Sequence, residues 1–189
     1  MTDITPARSE LRSRLRAQRQ QFGTSPGFAQ AQASLGRHLA QVVAQLEPDC
    51  LGVYASIRSE FNAVVALGDD PICDKLPWAL PYCIREPRDM HYRQWDRSAP
   101  MVADECGIAS ASGPRVVPDV VLVPCVGFAA GHYRLGYGGG YFDRFLAANP
   151  HVTTIGVAWS FCALTAAEFV PQPHDIPLSL IVTEQGVVG

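Results

Sequence analysis

The strongest strand pattern in the chain lies at residues 120–126, Val120-Val121-Leu122-Val123-Pro124-Cys125-Val126. The stretch is continuously apolar and rich in β-branched side chains, which is typical of a strand buried on both faces of a sheet. A glycine-rich loop comes after it, and residues 140–148 then show a helical pattern that ends before Pro150. The sequence therefore predicts a strand, a loop and a helix in succession.

Segments with helical and strand patterns alternate on either side of this unit. Helical patterns open at residues 9–16, with Pro6 near the first turn, and cover residues 28–46 and 60–67. Strand patterns cover residues 50–55, 78–83, 90–95, 153–159 and 178–183, whereas the small and polar residues 107–118 are typical of a mobile loop. This alternation predicts an α/β fold: a single domain, residues 1–189, with a largely parallel central sheet flanked by helices and an N-terminal helical segment.

Composition limits the classes of function that are open to the chain. Of its 189 residues 48% are hydrophobic and 17% are charged, which suits one substantial globular core. The formal net charge of -3 argues against attachment to nucleic acid by overall charge, and no apolar run is long enough to span a membrane. The arginine-rich start resembles part of a transit peptide, but its helical period favours a role in the fold. We expect a cytoplasmic monomer whose partners are small molecules.

The cysteines and histidines do not form a recognisable metal or disulfide pattern. None of the six cysteines belongs to a C-x-x-C pair, and several lie in or beside apolar stretches, so we expect buried, reduced thiols. The five histidines lack the spacing of metal ligands. The cysteines are Cys50, Cys73, Cys83, Cys106, Cys125 and Cys162.

The glycine-rich loop reads Arg134-Leu135-Gly136-Tyr137-Gly138-Gly139-Gly140-Tyr141-Phe142-Asp143-Arg144. Glycines before a helix let backbone N–H groups approach an anion, and the helix N-terminus favours negative charge. Arg134 and Arg144 are suited to phosphate, and Asp143 offers the hard oxygen ligands that Mg²⁺ prefers. The residues by themselves indicate a phosphate-binding loop. A tight structural turn remains the alternative, because neither the Walker P-loop pattern nor G-x-G-x-x-G is present.

The longer string VLVPCVGFAAGHYRLGYGGGYFDRFL, residues 121–146, closely resembles the signature of the 5-formyltetrahydrofolate cyclo-ligase family. RSELR at residues 8–12, YASIRSEFN at residues 54–62 and HDIPLSLIVTE at residues 174–184 resemble three further elements of the same family. The resemblance thus covers nearly the whole chain. It implies an enzyme of folate and one-carbon metabolism that uses ATP and Mg²⁺ to convert 5-formyltetrahydrofolate into 5,10-methenyltetrahydrofolate, releasing ADP and phosphate.

The resemblance also implies a role for particular residues. Arg134 and Tyr141 would be the catalytic residues, and Asp143 and Asp175 would bind the metal. ATP would contact Arg8, Arg12, Arg134, Leu135, Gly136, Tyr137, Gly138, Gly139, Gly140 and Tyr141. The folate substrate would contact Arg12, Ala55, Glu60, Tyr137, Gly138, Gly139, Gly140 and Tyr141.

Several of these residues have a plain structural alternative. Glu60, at the start of a predicted helix, could merely favour the helix dipole, and Asp175 could be a turn residue before Pro177. The arginines of the first helix are spaced three or four apart, which is typical of a solvated stripe. They are Arg8, Arg12, Arg16 and Arg19.

The chain also departs from the family pattern at certain positions. Arg8 stands where the family usually has Lys, Phe142 where it has Tyr, and Cys162 where it has Gln, and residues 105–112 lack the usual acidic residue and proline. These departures keep two further hypotheses open. One is a non-catalytic relative that senses a nucleotide, a folate or a sugar phosphate, and the other is an ATP-dependent enzyme that acts on a different carboxylated substrate.

Overall fold

The structure is a computed structural model and describes residues 7–189, so that Pro6 lies outside the described residues. Within that range four α-helices occur: α1 (Arg8–Phe22), α2 (Phe28–Leu46), α3 (Ala63–Gly68) and α4 (Tyr141–Ala148). The strands are β1 (Leu51–Gly52), β2 (Trp78–Ile84), β3 (Asp89–Trp95), β4 (Val102–Ala103), β5 (Ala109–Ser110), β6 (Arg115–Val116), β7 (Val120–Pro124), β8 (Gly127–Ala129), β9 (Tyr133–Leu135), β10 (Thr153–Val157), β11 (Ala163–Leu164), β12 (Leu180–Thr183) and β13 (Gly186–Val188). Three short 3-10 helices lie at Cys73–Lys75, Ala130–His132 and Ser160–Cys162.

An eight-stranded sheet forms the centre of the molecule, with the strand order β13-β12-β10-β7-β1-β2-β3-β6. The five strands from β12 to β2 pair in parallel, whereas β13, β3 and β6 pair antiparallel at the two edges. The predicted α/β fold with a largely parallel sheet is therefore confirmed. Two small sheets, β11-β8-β9 and β4-β5, lie outside the central one.

Strand β7 lies in the middle of this sheet and is buried on both faces, as its sequence predicts. Val120 and Leu122 pack in a core with side chains of α1, α2 and α3, whereas Val121 and Val123 pack in a second core with side chains of α4. Successive side chains of a strand point to opposite faces, so this alternation shows that helices cover both sides of the sheet. Within residues 7–189 no helix has both the length and the hydrophobicity that a membrane span requires.

The helix predicted at residues 60–67 begins three residues later than expected. Asn62 caps it, since its side-chain oxygen accepts a hydrogen bond from the backbone N–H of Val65 at 3.2 Å. Glu60 consequently lies in the loop before the helix. The interpretation of Glu60 as a residue that favours the dipole of its own helix is therefore wrong.

Residues 107–118 contain more regular structure than their sequence indicates, because β5 and β6 lie within them. The turn that leads into this segment is held by Asp104. Its buried carboxylate accepts hydrogen bonds from the backbone N–H groups of Cys83, Cys106 and Ile108 at 3.1, 2.8 and 2.8 Å. Since an ionised carboxylate accepts strong hydrogen bonds, Asp104 ties this turn to the end of β2.

The cysteines are free thiols, and four of the six are buried: Cys73, Cys83, Cys125 and Cys162. Burial raises the pKa of Cys125 and of Cys162 to about 12, so that both remain protonated at neutral pH. Cys50 and Cys106 are only partly buried. The expectation of buried thiols is confirmed for the four.

Candidate active site

A cavity of about 840 Å³ opens at the edge of the sheet where the parallel strands end. Its wall includes Ala55 just beyond β1, Cys83 near the end of β2 and Pro124 at the end of β7. Ligands of open α/β sheets bind at the carboxyl ends of the strands. The position of the cavity therefore marks it as the candidate active site.

The glycine-rich loop between β9 and α4 forms one wall of this cavity, in a conformation that requires glycine at two positions. Gly138 and Gly140 have φ angles of 94° and 66°. A Cβ atom at Gly138 would lie 3.3 Å from the Cζ atom of Arg12, and one at Gly140 would lie 2.9 Å from Nη1 of Arg144. Larger residues are thus disfavoured both by backbone strain and by two guanidinium groups that cover the loop.

Helix α1 brings Arg8 and Arg12 to the same cavity, although they lie more than 100 residues before the glycine-rich loop in the sequence. The helix is anchored by Leu11 and Leu15, which are buried in the core. Arg12 Nε donates a hydrogen bond to the carbonyl oxygen of Gly136 at 2.7 Å. The hydrophobic face of α1 therefore decides where its cations lie.

The arginines of α1 do not form a uniformly solvated stripe. Arg8 and Arg12 are partly buried and border the cavity, and Arg19 is only 2% exposed, so the stripe interpretation is wrong for these three. Arg16 alone among the four is exposed to solvent. The spacing of charges along a helix cannot distinguish these surroundings, because they depend on what packs against each side chain.

Two ion pairs hold four of the predicted site residues together. Arg134 Nη2 lies 2.7 Å from Asp143 Oδ1, and Arg8 Nη2 lies 2.5 Å from Asp175 Oδ2. Asp175 also accepts a hydrogen bond from the backbone N–H of Gln172 at 2.7 Å, as a turn residue would. Burial raises the pKa of Asp175, but the Arg8 hydrogen bond and the Gln172 amide outweigh it and leave the pKa below its usual value.

Glu60 borders the cavity near Ala55 and is partly buried. Its Oε2 atom accepts a hydrogen bond from the backbone N–H of Ile57 at 2.8 Å. Burial raises the pKa of Glu60, while the Ile57 amide and the charge of Arg19 partly counteract the rise. The cavity thus holds a carboxylate whose protonation depends on its immediate neighbours.

Tyr141, the first residue of α4, presents its hydroxyl to the thiol of Cys106, with 3.2 Å between Oη and Sγ. The Arg144 guanidinium lies over the tyrosine ring, 5.3 Å from its centroid. The hydrogen bond with Cys106 raises the pKa of Tyr141. The phenol is therefore protonated at neutral pH and able to donate a hydrogen bond.

With one exception, every site residue predicted from the sequence borders this cavity. The exception is Leu135, whose side chain is 1% exposed and packs in the core. The residues brought together are Arg8, Arg12, Ala55, Glu60, Arg134, Gly136, Tyr137, Gly138, Gly139, Gly140, Tyr141, Asp143 and Asp175.

Many other lining residues were not predicted, and most of them are apolar. Met90 is typical, because the alternating pattern of β3 marks it only as a side chain on a buried face. Tyr54 had a signal, since it precedes Ala55 directly in the segment that resembles the family. Arg144, which the sequence marked as suited to phosphate, also borders the cavity. The residues that the sequence did not assign to the site are Tyr54, Ile57, Pro81, Cys83, Met90, Asp104, Ile108, Pro124, Phe142, Ala147, Pro173, His174 and Ile176.

The carboxylates of the cavity suit a metal ion that is bound partly by the protein and partly by phosphate oxygens. Among residues 7–189 no three His, Cys, Asp or Glu side chains are grouped closely enough to hold a metal ion by themselves. Mg²⁺ usually takes one or two carboxylates and fills its remaining positions with phosphate oxygens and water. Asp143 and Asp175 both border the cavity and supply such a donor set.

Comparisons with known proteins identify the family. The 5-formyltetrahydrofolate cyclo-ligase family matches residues 4–184. A 5-formyltetrahydrofolate cyclo-ligase of Haemophilus influenzae is 26% identical across 92% of this chain and 96% of its own length. A cyclo-ligase of Mycoplasma pneumoniae is 40% identical over 68 residues, which are 35% of this chain, and the match spans only 40% of the relative's length.

A solved structure shows the same fold. The 5,10-methenyltetrahydrofolate synthetase from Mycoplasma pneumoniae superposes with a TM-score of 0.73 at 20% identity, over 95% of this chain and 99% of its own. At that identity the likeness concerns the fold alone. Because the family match extends from residue 4 to residue 184, the chain belongs to the 5-formyltetrahydrofolate cyclo-ligase family.

Proposed function

We propose that this protein catalyses the ATP- and Mg²⁺-dependent cyclisation of 5-formyltetrahydrofolate to 5,10-methenyltetrahydrofolate, with release of ADP and phosphate. The observation that carries the proposal is the content of one cavity: an N–H-rich loop, the arginines of two ion pairs and a separate carboxylate, Glu60. The names of the family and of its relatives supply the reaction.

The phosphates of ATP bind at the glycine-rich loop. Backbone N–H groups between Gly138 and Tyr141 and the N-terminus of α4 favour an anion there. Arg134 and Arg8 are already at the cavity wall, each paired with a carboxylate. A phosphate that takes over these arginines leaves Asp143 and Asp175 free, and these two carboxylates would hold Mg²⁺. When bound, the metal would supply neutralisation of phosphate charge.

The folate binds on the side of the cavity that carries Glu60. An ionised carboxylate accepts hydrogen bonds from N–H groups, and a pteridine ring presents several of them. Apolar side chains of the same cavity, among them Pro81, Met90 and Ile108, suit the flat faces of the ring. We assign Arg12 to both ligands, because it lies over the glycine-rich loop at the cavity wall.

The reaction needs positioning and charge neutralisation more than a protein nucleophile. The formyl oxygen attacks the γ-phosphorus of ATP, and the bond to ADP breaks. N10 of the folate then attacks the activated formyl carbon, the bond from that carbon to the phosphate oxygen breaks, and N10 loses its proton. Arg134 and the loop amides stabilise the phosphoryl group, and the protonated hydroxyl of Tyr141 donates a hydrogen bond to it.

A turnover assay tests the proposal. Purified protein is incubated with 5-formyltetrahydrofolate, ATP and Mg²⁺, and the absorbance of the methenyl product is followed together with ADP release. We expect one ADP for each product molecule and no product when ATP or Mg²⁺ is left out. No product at high protein concentration, with ATP and folate binding retained, would instead support a non-catalytic ligand-binding relative. ATP binding without folate binding would point to another substrate.

A further inference from the structure

Helix α1 carries a buried charge that the proposed site does not use. Arg19 is 2% exposed, and no Asp or Glu of residues 7–189 lies within ion-pair distance of it. Its Nε donates a hydrogen bond to the carbonyl oxygen of Ser59 at 3.1 Å, and its Nη1 donates one to that of Cys125 at 3.5 Å. Burying a guanidinium without a paired carboxylate is costly, so its position calls for a reason.

Both carbonyl groups belong to segments that form the cavity wall. Ser59 directly precedes Glu60, and Cys125 directly follows Pro124, which ends β7. Arg19 also borders a narrow gap of about 10 Å³ together with Glu60, Tyr54 and Pro124. A single guanidinium from α1 therefore connects the loop of Glu60 to the end of the central strand, behind the cavity.

Several other groups face Glu60 from the elements around it. Arg58 lies in the same loop, Tyr137 belongs to the glycine-rich loop, and Tyr54 and Cys125 follow β1 and β7. The two tyrosines and the cysteine are neutral at ordinary pH, because burial raises the pKa of each. Arg58 is exposed, so water screens its charge. Among these neighbours Arg19 therefore carries the positive charge that water screens least, because its guanidinium is buried.

We propose that Arg19 is a positioning residue for Glu60, which holds the Ser59–Glu60 segment against the end of β7 and keeps the Glu60 carboxylate ionised to accept hydrogen bonds from the folate. The proposal rests on the proposed function in assigning Glu60 to the folate. Burial favours the protonated form of Glu60, which accepts fewer hydrogen bonds and binds N–H donors less well. A positive charge behind the carboxylate counteracts that tendency without occupying the cavity.

Three variants separate the charge of Arg19 from its packing. Arg19→Gln removes the charge, Arg19→Lys keeps it but cannot bind both carbonyl groups with a planar fork, and Arg16→Gln is the control at an exposed position of the same helix. The KM for 5-formyltetrahydrofolate and kcat are measured from acidic to alkaline pH. Thermal denaturation is used to test whether each variant is folded.

Loss of the positive charge raises the pKa of Glu60, so a larger fraction of Glu60 is protonated at a given acidic pH. We expect the KM of Arg19→Gln to lie about tenfold above that of Arg19→Lys on the acidic side, for a shift of about one pKa unit, and to approach the Arg19→Lys value at alkaline pH, because both variants lose the planar fork and only Arg19→Gln loses the charge. Arg19→Lys should raise the KM by a similar factor at every pH, and Arg16→Gln should leave it unchanged. A rise in Arg19→Gln that is even at all pH values and equal to that in Arg19→Lys would mean that Arg19 has only a packing role. If that variant does not fold, a wild-type KM at every pH in Arg19→Lys would likewise overturn the positioning role.

A second measurement does not depend on catalysis. The titration of the Glu60 carboxyl carbon is followed by NMR in ligand-free protein, with its signal assigned by comparison with Glu60→Gln. We expect a higher midpoint in Arg19→Gln than in wild type and in Arg16→Gln, and equal midpoints would overturn the coupling. Should the wild-type protein fail to turn over 5-formyltetrahydrofolate, the proposed function fails, and this titration still decides whether Arg19 controls Glu60.

Discussion

Arg134 and Arg8, two of the charged side chains assigned to ATP, are already paired with the aspartates assigned to the metal. The side chains of Arg134 and Asp175 are 5% and 8% exposed, so each pair places a charge where an unpaired one would be costly. The pairs keep these side chains at the cavity wall before any ligand arrives. A phosphate–metal complex carries both signs of charge and can therefore replace both partners of a pair at once.

Replacing Arg134 tests the placement of the phosphates. Arg134→Ala removes a cation that neutralises phosphate charge, so we expect kcat/KM to fall by an amount equivalent to about 2–4 kcal/mol of transition-state stabilisation. Steady-state kinetics measure the loss, with Arg37→Ala on the exposed side of α2 as the control. Catalytic efficiency near that of wild type would show that the phosphates bind elsewhere.

Replacing Asp143 tests the metal assignment. Asp143→Asn keeps the size of the side chain but removes its charge, so we expect the Mg²⁺ concentration for half-maximal activity to rise several-fold in a protein that still folds, with a lower melting temperature because the buried Arg134 loses its ion pair. The control is Asp69→Asn, an exposed aspartate that follows α3. An unchanged Mg²⁺ requirement would rule out Asp143 as a ligand.

Glu60 leads to a prediction about the pH dependence of stability. Burial raises its pKa in the folded state above the unfolded value, so Glu60 favours folding only at a pH below the unfolded pKa. That contribution is lost as the pH rises through the folded pKa, whereas a glutamine has no charge to desolvate. We therefore expect Glu60→Gln to melt close to wild type at about pH 4 and progressively above wild type toward about pH 8.

Thermal denaturation across this pH range measures the difference. A constant difference in melting temperature would contradict the prediction, since it would show that the charge of Glu60 costs nothing on folding. The same substitution should weaken folate binding, so that a gain in stability accompanies a loss of function.

The glycine-rich loop leads directly into α4, and we propose that its backbone conformation is what binds phosphate. Gly138 and Gly140 adopt left-handed φ angles just before the helix begins at Tyr141. Residues in this conformation next to a helix N-terminus are able to form an anion-binding concavity of N–H groups at the positive end of the helix dipole. The loop is kept in place from outside by Arg12 and Arg144, whose side chains donate hydrogen bonds to the carbonyl groups of Gly136 and Gly139.

A methyl group at Gly138 should disturb this element. Gly138→Ala strains the left-handed backbone by about 1 kcal/mol and crowds the Arg12 guanidinium. We therefore expect a clear rise in the KM for ATP together with only a small fall in the melting temperature. Gly68→Ala is the matched control, because nothing lies within 4 Å of a Cβ atom there and its φ is not positive. A wild-type KM for ATP in Gly138→Ala would exclude a role for the loop conformation in phosphate binding.

The molecule as a whole brings the site together by packing α1 across the ends of the sheet. Arg8 contacts Asp175 and Arg12 contacts Gly136, although these partners are more than 100 positions apart in the chain. Both contacts come from a helix whose Leu11 and Leu15 are buried in the core. We therefore expect the stability of the fold and the assembly of the site to depend on the same hydrophobic contacts.

Truncating one of those leucines should affect both properties together. Leu15→Ala removes a fully buried side chain, so we expect a loss of about 2–5 kcal/mol in the free energy of unfolding and a higher KM for ATP in the protein that remains folded. Chemical denaturation and steady-state kinetics measure the two effects, and Leu46→Ala at the more exposed end of α2 is the control. An unchanged KM in the destabilised variant would show that α1 does not position the cations.

The parts of the fold that were predicted correctly have a strong local pattern. The alternate burial of β7, the length of α2 and the start of α4 follow from hydrophobic period, helix propensity and turn chemistry within a few residues. The short strands β4, β5, β6, β8, β9, β11 and β13 were missed, because two or three residues carry no measurable period. The start of α3 was misplaced because the cap at Asn62 was not recognised.

The site divides in the same way. The sequence by itself determined the α/β fold, the glycine conformations of the loop and the residue types that suit phosphate and magnesium, since local sterics and the period of apolar side chains are properties of neighbouring residues. Only the tertiary structure decided that Arg134 pairs with Asp143, that Arg8 pairs with Asp175 and that Arg19 is buried behind Glu60. The burial of a charged side chain and its ion-pair partner depend on which distant segments pack together. The residues next to that side chain in the sequence do not identify either.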